Sequence, residues 1–169
     1  MVGDRPRMEW KDLMFNNGSR PKAKFTLWLQ LQNRLPTTDR LQKWGLDVDL
    51  KCKLCNVYLE TRDHIYVQCD YSRAIWMKLL RWVHTDYYAA ANWGNHLQWI
   101  RSKTKGKSQA AQTLKLVYTE FIYAVWMERN QRTFEDKRRS WQAVAREIAY
   151  VCCVRAPASI RTRMQQLVY

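Results

Sequence analysis

Glycine and proline are scarce in this chain, five and four residues out of 169. Collagen-like and low-complexity chains are rich in both, so neither class fits. Five glycines supply no Gly-rich phosphate cradle, and neither G-x-S-x-G nor H-E-x-x-H occurs. Long apolar runs are missing too: none approaches the roughly 20 residues of a membrane-spanning helix. Met1 to Trp10 carries Asp4, Arg5, Arg7 and Glu9 where a secretory signal has its apolar stretch. Neither a membrane partner nor secretion is therefore expected. Acidic residues are few, 15 against 29 Lys and Arg, for a net charge of +14. They are also scattered. Glu135 and Asp136 are neighbours at a helix end and face apart, and no group of carboxylates is placed to hold catalytic magnesium. His84 and His96 have no ligand partner at a useful spacing and read as surface or half-buried helix residues. No catalytic site and no small-molecule substrate are expected; the chain reads as a non-enzyme.

What is present begins with cysteine. Three of the five cysteines fall in Cys52-x2-Cys55-x8-His64-x4-Cys69. Three thiolates and an imidazole form the donor set of a closed, tetrahedral structural zinc site. Cys52 and Cys55 suit a tight knuckle, and His64 and Cys69 return on a short segment. One Zn(2+) per chain is expected, structural because four protein ligands leave no position open to water or substrate. Lys51 and Lys53 flank the first ligand, where they can offset the net negative charge of zinc with three thiolates. Asp70 reads as the N-cap of the helix that follows Cys69. Cys152 and Cys153 are adjacent and cannot bridge one another without severe strain, so a reducing, intracellular compartment is expected.

Apolar periodicity makes the rest mainly helical. After a turn at Asn16–Ser19, Phe25, Trp28, Leu29, Leu31 and Leu35, broadened by Leu27, mark a helix entered at Arg20-Pro21 and ending before Pro36. Thr37 and Thr38 cap a short helix through Trp44, which Gly45 ends. Ile65-Tyr66-Val67 alternates like a short strand. Ile75, Trp76, Leu79, Leu80 and Val83 make the face of another helix, and Trp93 to Ile100 a further short one. Ser108 caps the longest periodic stretch, with Leu114, Val117, Tyr118, Phe121, Ile122, Val125 and Trp126 as a core seam. Ser140 opens a helix through Val151, and Ile160 to Val168 a last one. Residues 1–19 thus form a lead segment and 20–100 a zinc-binding region with its leading helices. Residues 101–107 form a basic loop and 108–169 a basic helical region, all within one folded unit. The fold class is a mainly α helical bundle whose zinc-pinned CCHC loop, with room for one short hairpin, joins N-terminal to C-terminal helices.

Positive charge concentrates late: +3 over residues 1–50, +2 over 51–100 and +9 over 101–169. Such a field suits a polyanion. Lys103, Lys105 and Lys107 have no apolar duty and can reach phosphates as point charges. Arg129, Arg132, Arg138 and Arg139 offer planar forks for phosphate oxygens. Glu128 and Arg132, spaced i, i+4, can instead pair with each other.

The zinc stretch, with Glu60-Thr-Arg-Asp63 before His64 and Trp76 after Cys69, resembles the reverse-transcriptase zinc-binding domain. That domain is the C-terminal CCHC domain of LINE-type (non-LTR) retrotransposon polyproteins, especially those of plants. Phe25-Thr-Leu-Trp28-Leu29 and Leu35-Pro36-Thr37-Thr38-Asp39-Arg40-Leu41 are similar to its leading helices. Trp126-Met-Glu128-Arg129-Asn130-Gln-Arg132-Thr-Phe134 is similar to a W-x-E-R-N-x-R-x-F segment that follows in those proteins. The resemblance implies Cys52, Cys55, His64 and Cys69 as zinc ligands and an accessory role in handling nucleic acid. It also implies a reverse transcriptase or another retroelement protein as a partner. The polymerase and endonuclease that usually precede the domain are not in this sequence, which leaves fragment, relic and stand-alone derivative open. The expectation is a zinc-binding, nucleic-acid-binding accessory module, non-specific toward RNA or DNA and nuclear more than cytoplasmic. Its rivals are a protein-docking zinc domain with a basic face and an inactive retroelement remnant.

Overall fold

The computed structural model describes residues 10–169; the first nine residues of the expected lead segment lie outside them. Helix α1 (Lys11–Met14) is a single turn that buries Leu13. Asn16, at φ 53°, turns the chain into α2 (Pro21–Leu31), which has proline in its first turn. The short α3 (Thr38–Lys43) stops at Gly45, whose φ of 81° is the left-handed conformation expected there. After the metal-binding loop come α4 (Asp70–Trp82) and α5 (Trp93–Thr104). The chain continues through α6 (Gln109–Phe134), α7 (Trp141–Arg155) and α8 (Ala158–Gln166). Serine side chains start two of these helices, Ser108 accepting from the Ala111 N–H and Ser140 from that of Ala143. Among the described residues the only β-type pairing is a single antiparallel bridge between Lys51 and Leu59. The mainly helical architecture is as the periodicity indicates.

The axis of the molecule is α6, about 39 Å long at 1.5 Å per residue. Sixteen of its 26 residues are buried, far more than one apolar stripe supplies. The expected seam from Leu114 to Trp126 is all in the core. The opposite side is covered as well, because α2 and α7 pack along it and α5, α8 and α4 complete the sheath. Several of its polar residues are answered within the protein. Thr119 hydroxyl donates to the Lys115 carbonyl and accepts from the Asn17 amide. Glu120, fully buried, accepts from the Arg20 backbone N–H and from its guanidinium at 2.7 Å. Leu13, Asn17 and Ser19, just ahead of α2, are therefore part of the core.

Four local expectations are corrected. The buried stripe of α2 is Ala23, Leu27 and Leu31, at i, i+4 spacing, while Phe25 is 59% exposed and stacks on Trp28. The helix ends at Leu31, and Leu35 enters the core from the following loop. Ile65-Tyr66-Val67 is no strand; it lies in a π-helical turn, His64–Gln68. The basic loop is shorter than expected, since α5 continues through Thr104, a buried residue whose hydroxyl donates to the Ile100 carbonyl. Only 105–107 are left as loop, turning at Gly106 with φ 91°.

His96, expected at or near the surface, is 3% exposed. It sits among the rings of Trp76, Trp93, Trp99 and Tyr118, with centroids 5.6 to 6.4 Å away. The i, i+3 spacing from Trp93 and Trp99 puts all three on one side of α5.

Candidate metal centre

Two backbone devices bring four ligands to one point. The first is a knuckle. Cys52 N–H donates to the Tyr58 carbonyl at 2.8 Å, and Asn56 N–H to the Cys52 carbonyl at 2.7 Å. Asn56 has φ 57°, so the chain reverses within Cys52–Tyr58 and points both sulfurs inward. The second device is the π turn. Cys69 N–H donates to the His64 carbonyl at 2.7 Å, an i+5 to i bond. In an α-helix, residues five apart point about 140° away from each other. The wider turn places His64 and Cys69 on the same side, which is the physical meaning of their x4 spacing.

The ligating atoms of Cys52, Cys55, His64 and Cys69 all lie within 4.8 Å of one another, and Cys55 Sγ is 3.3 Å from His64 Nε2. Zinc bonds of about 2.3 Å to sulfur and 2.0–2.1 Å to nitrogen, arranged tetrahedrally, need ligand separations of that order. Cys52 and Cys69 are fully buried, His64 nearly so and Cys55 half-buried. The donor set fits a closed zinc site.

Cys69, and not Asp70, is the N-cap of α4. Its pKa is lowered, first because its sulfur accepts from the Cys52 thiol, and also because the backbone N–H groups of Ser72 and Tyr71 point at it. Cys52 is pushed up to about 12 by the same hydrogen bond and by burial. A coordinated cation reverses this order, since a thiol bound to a metal is deprotonated outright.

The knuckle is locked to α6 by arginines. Glu60, directly after the knuckle and fully buried, accepts from Arg129 Nη2 at 2.6 Å and from Nε at 3.1 Å. The same carboxylate accepts from the Thr38 backbone N–H at 2.9 Å. Arg132 Nη1 donates to the Leu54 carbonyl, between the first two cysteines, at 2.8 Å. Its Nε bonds Glu128 at 2.8 Å, and its guanidinium lies over the Tyr71 ring at 4.3 Å. Glu128, buried, also accepts from the backbone and side chain of Arg139. Lys53, expected to offset the site's charge, is held by Asp49 at 2.6 Å.

This arrangement takes Arg129 and Arg132 out of the expected phosphate surface. Arg129 is 3% exposed and the Arg132 side chain 8%, both engaged inside the fold. Arg139 is paired with Glu128 and Glu147. Arg138 is exposed, 3.5 Å from Asp136. Lys103, Lys105 and Lys107 are all exposed, and Lys103 belongs to the last turn of α5. Glu60 carries no sequence signal of burial, whereas the i, i+4 spacing of Glu128 and Arg132 does announce their pair.

A closed Cys3His cluster, set on a knuckle and a helix start, defines a zinc-finger-like structural domain. Residues 1–76 match the family model described as zinc-binding in reverse transcriptase, so this part of the chain is related to that domain. The match includes all four ligands and ends inside α4. No curated protein and no solved structure matches the chain.

Proposed function

We propose that this chain is a zinc-stabilised accessory module that binds nucleic acid non-specifically, of the kind attached to LINE-type reverse transcriptases, without chemistry of its own. Zinc, one per chain, is the structural ion held by Cys52, Cys55, His64 and Cys69. The closed donor set gives it no substrate position.

The observation that carries the reading is where the charge ends up. Of the fifteen acidic residues, Glu60, Glu120 and Glu128 are fully buried against arginines. These buried pairs are internally neutral, so the net charge of +14 falls to the rest of the chain, with Lys103, Lys105, Lys107 and Arg138 outside. A positive, lysine-bearing surface attracts phosphate backbones irrespective of sequence. No helix among the described residues is long and apolar enough to cross a membrane. A nuclear site of action follows from the proposed partner.

A protein-docking role is the second reading, favoured by the knuckle tip. Val57, Tyr58 and Leu59 are 65%, 62% and 63% exposed, three consecutive apolar side chains in solvent. Salt separates the two. Binding to single-stranded RNA, single-stranded DNA and duplex should weaken linearly in log salt, by about 0.9 per phosphate on duplex and 0.7 on single strands. Replacing Lys103, Lys105 and Lys107 together by Gln should lower that slope with circular dichroism unchanged. No binding of the wild-type protein to any of the three at low salt would transfer the reading to docking.

A further inference from the structure

We propose that the cavity between the Asn16–Gly18 turn, the Gly106–Lys107 loop and the starts of α6 and α8 is a phosphate-binding site, with Lys115 as its anchoring cation. This deepens the nucleic-acid reading and rests on it only for the source of the phosphate. The cavity holds about 430 Å³, within the roughly 300–1,000 Å³ of ligand sites. Lys107 and Lys115 both line it, and among the described residues no carboxylate does.

Lys115 is the unusual residue. It is 5% exposed, in the buried middle stretch of α6. Its ammonium donates to one acceptor, the Phe15 carbonyl at 3.3 Å, and has no ion-pair partner among the described residues. An ammonium group has three donors, so this hydrogen bond leaves two of them over. A cation removed from water without an anion is costly. Every other buried charged side chain here is paired: Glu60 with Arg129, Glu120 with Arg20, Glu128 with Arg132 and Arg139. The exception faces a cavity. Burial lowers the Lys115 pKa, opposed only by the more distant Asp12, and a phosphate dianion in the cavity would reverse that.

The rest of the lining suits an oxyanion. Pro157 and Ser159 belong to the start of α8, which has no side-chain cap; the Ile160 N–H bonds the Pro157 carbonyl at 3.0 Å, and the Ala158 and Ser159 N–H groups are left to donate. Ser159 hydroxyl donates to Gln112 Oε1 at 2.6 Å, and the Gln112 amide to the Lys107 carbonyl at 2.7 Å. That chain of bonds holds the basic loop against α8. Gly18 forms part of the wall, and a Cβ there would meet Pro157 Cδ at 2.8 Å. The ligand class is a phosphate ester: the backbone phosphate of a strand crossing the loop lysines, or a free phosphate monoester.

The test uses the full chain, zinc-loaded, titrated with inorganic phosphate at constant ionic strength against chloride. The amide signals of Gly18 and Gly106 are followed by NMR, as they report from opposite walls. Saturable shifts of both are expected in the wild type and their loss in Lys115→Met. Without phosphate, Lys115→Met should be at least as stable as the wild type, because methionine fills the same space without a buried charge; phosphate should stabilise the wild type alone. A variant equally destabilised with and without phosphate would show that Lys115 serves only the fold, and would overturn the site. So would absent shifts, or equal shifts in the variant.

Next, a single-stranded oligoribonucleotide replaces phosphate. Shifts at Gly18 and Gly106, with about tenfold to hundredfold weaker binding by Lys115→Met, would assign the site to strand phosphates. Phosphate shifts without oligonucleotide shifts would support the site and assign it to a free ester. Oligonucleotide binding that ignores Lys115→Met, with no phosphate shifts, would refute this site while leaving the surface-lysine reading intact.

Discussion

Replacing Arg129 by Met tests the claim that α6 holds the metal knuckle in place. The side chain is 3% exposed and makes three hydrogen bonds to Glu60, at 2.6, 3.1 and 3.1 Å; among the described residues it is the carboxylate's only charged partner. Met keeps the length of the stem and removes the guanidinium. Glu60, fully buried, is then left with the Thr38 N–H alone. Removing one partner of a buried ion pair costs about 3–5 kcal/mol, most of it from the stranded charge. That is a large fraction of a stability of roughly 5–15 kcal/mol. At roughly 2–4 °C per kcal/mol for a chain of this size, the melting temperature should fall by about 6–20 °C. Urea unfolding with zinc in excess, followed by circular dichroism, measures it. Glu60→Gln removes the charge from the other side, so the double variant should cost less than the two singles added, with a coupling of about 1–3 kcal/mol. Additive costs, or an Arg129→Met cost below about 1 kcal/mol, would refute the idea that this pair fastens the knuckle.

Three further outcomes are expected. Cys55→Ala should lose the metal, whose binding in comparable structural sites is worth about 10–16 kcal/mol, while Cys152→Ala, buried away from the cluster, should keep full zinc by elemental analysis. Phe121→Ala, at a fully buried position 4.9 Å from the Trp76 ring, should cost about 3–5 kcal/mol by denaturant unfolding; an unchanged midpoint with altered self-association would make the seam an interface instead. Burial lowers the His96 pKa to about 4, against about 6.5 in an unfolded chain. The unfolded chain therefore binds the extra proton between those values, and stability falls as pH drops through the window, by about 3 kcal/mol at its low end. His96→Phe should lack that component, read as the wild-type-minus-variant difference at about pH 7 and pH 4 so that metal release, common to both, cancels. A difference independent of pH would count against it.

The metal site was legible in the sequence because its chemistry is local. Four ligands within eighteen residues declare themselves by type and spacing, and the helix caps at Ser108 and Ser140 are equally short-range signals. What the sequence hid was long-range. Arg129 and Arg132 look like any basic helix face until a carboxylate 69 residues away and a carbonyl 78 residues away are brought against them. Periodicity found one side of α6 but could not tell that the other side is also covered, because its Thr, Glu and Lys residues read as solvent-facing. The π turn has the residue pattern of a short strand, since three alternating residues carry too little pattern to show the turn's width.

The dependence of the knuckle on Arg129 and Arg132 has a consequence for the order in which the chain assembles. The cysteines can gather their ion through loops of a few residues, a step open to the chain soon after residue 69 is made. The clamps that seat the loaded knuckle arrive only with residues 129 and 132, and Arg20 meets Glu120 across 100 positions. Closing spans of that length is entropically costlier than closing the knuckle. Metal capture is thus expected to come early and docking of the knuckle late. A chain cut after residue 76, where the family match ends, would own every ligand and still have nothing to stand on: Leu13, Ala23 and Leu27, which lie in the core of the whole protein, would face water.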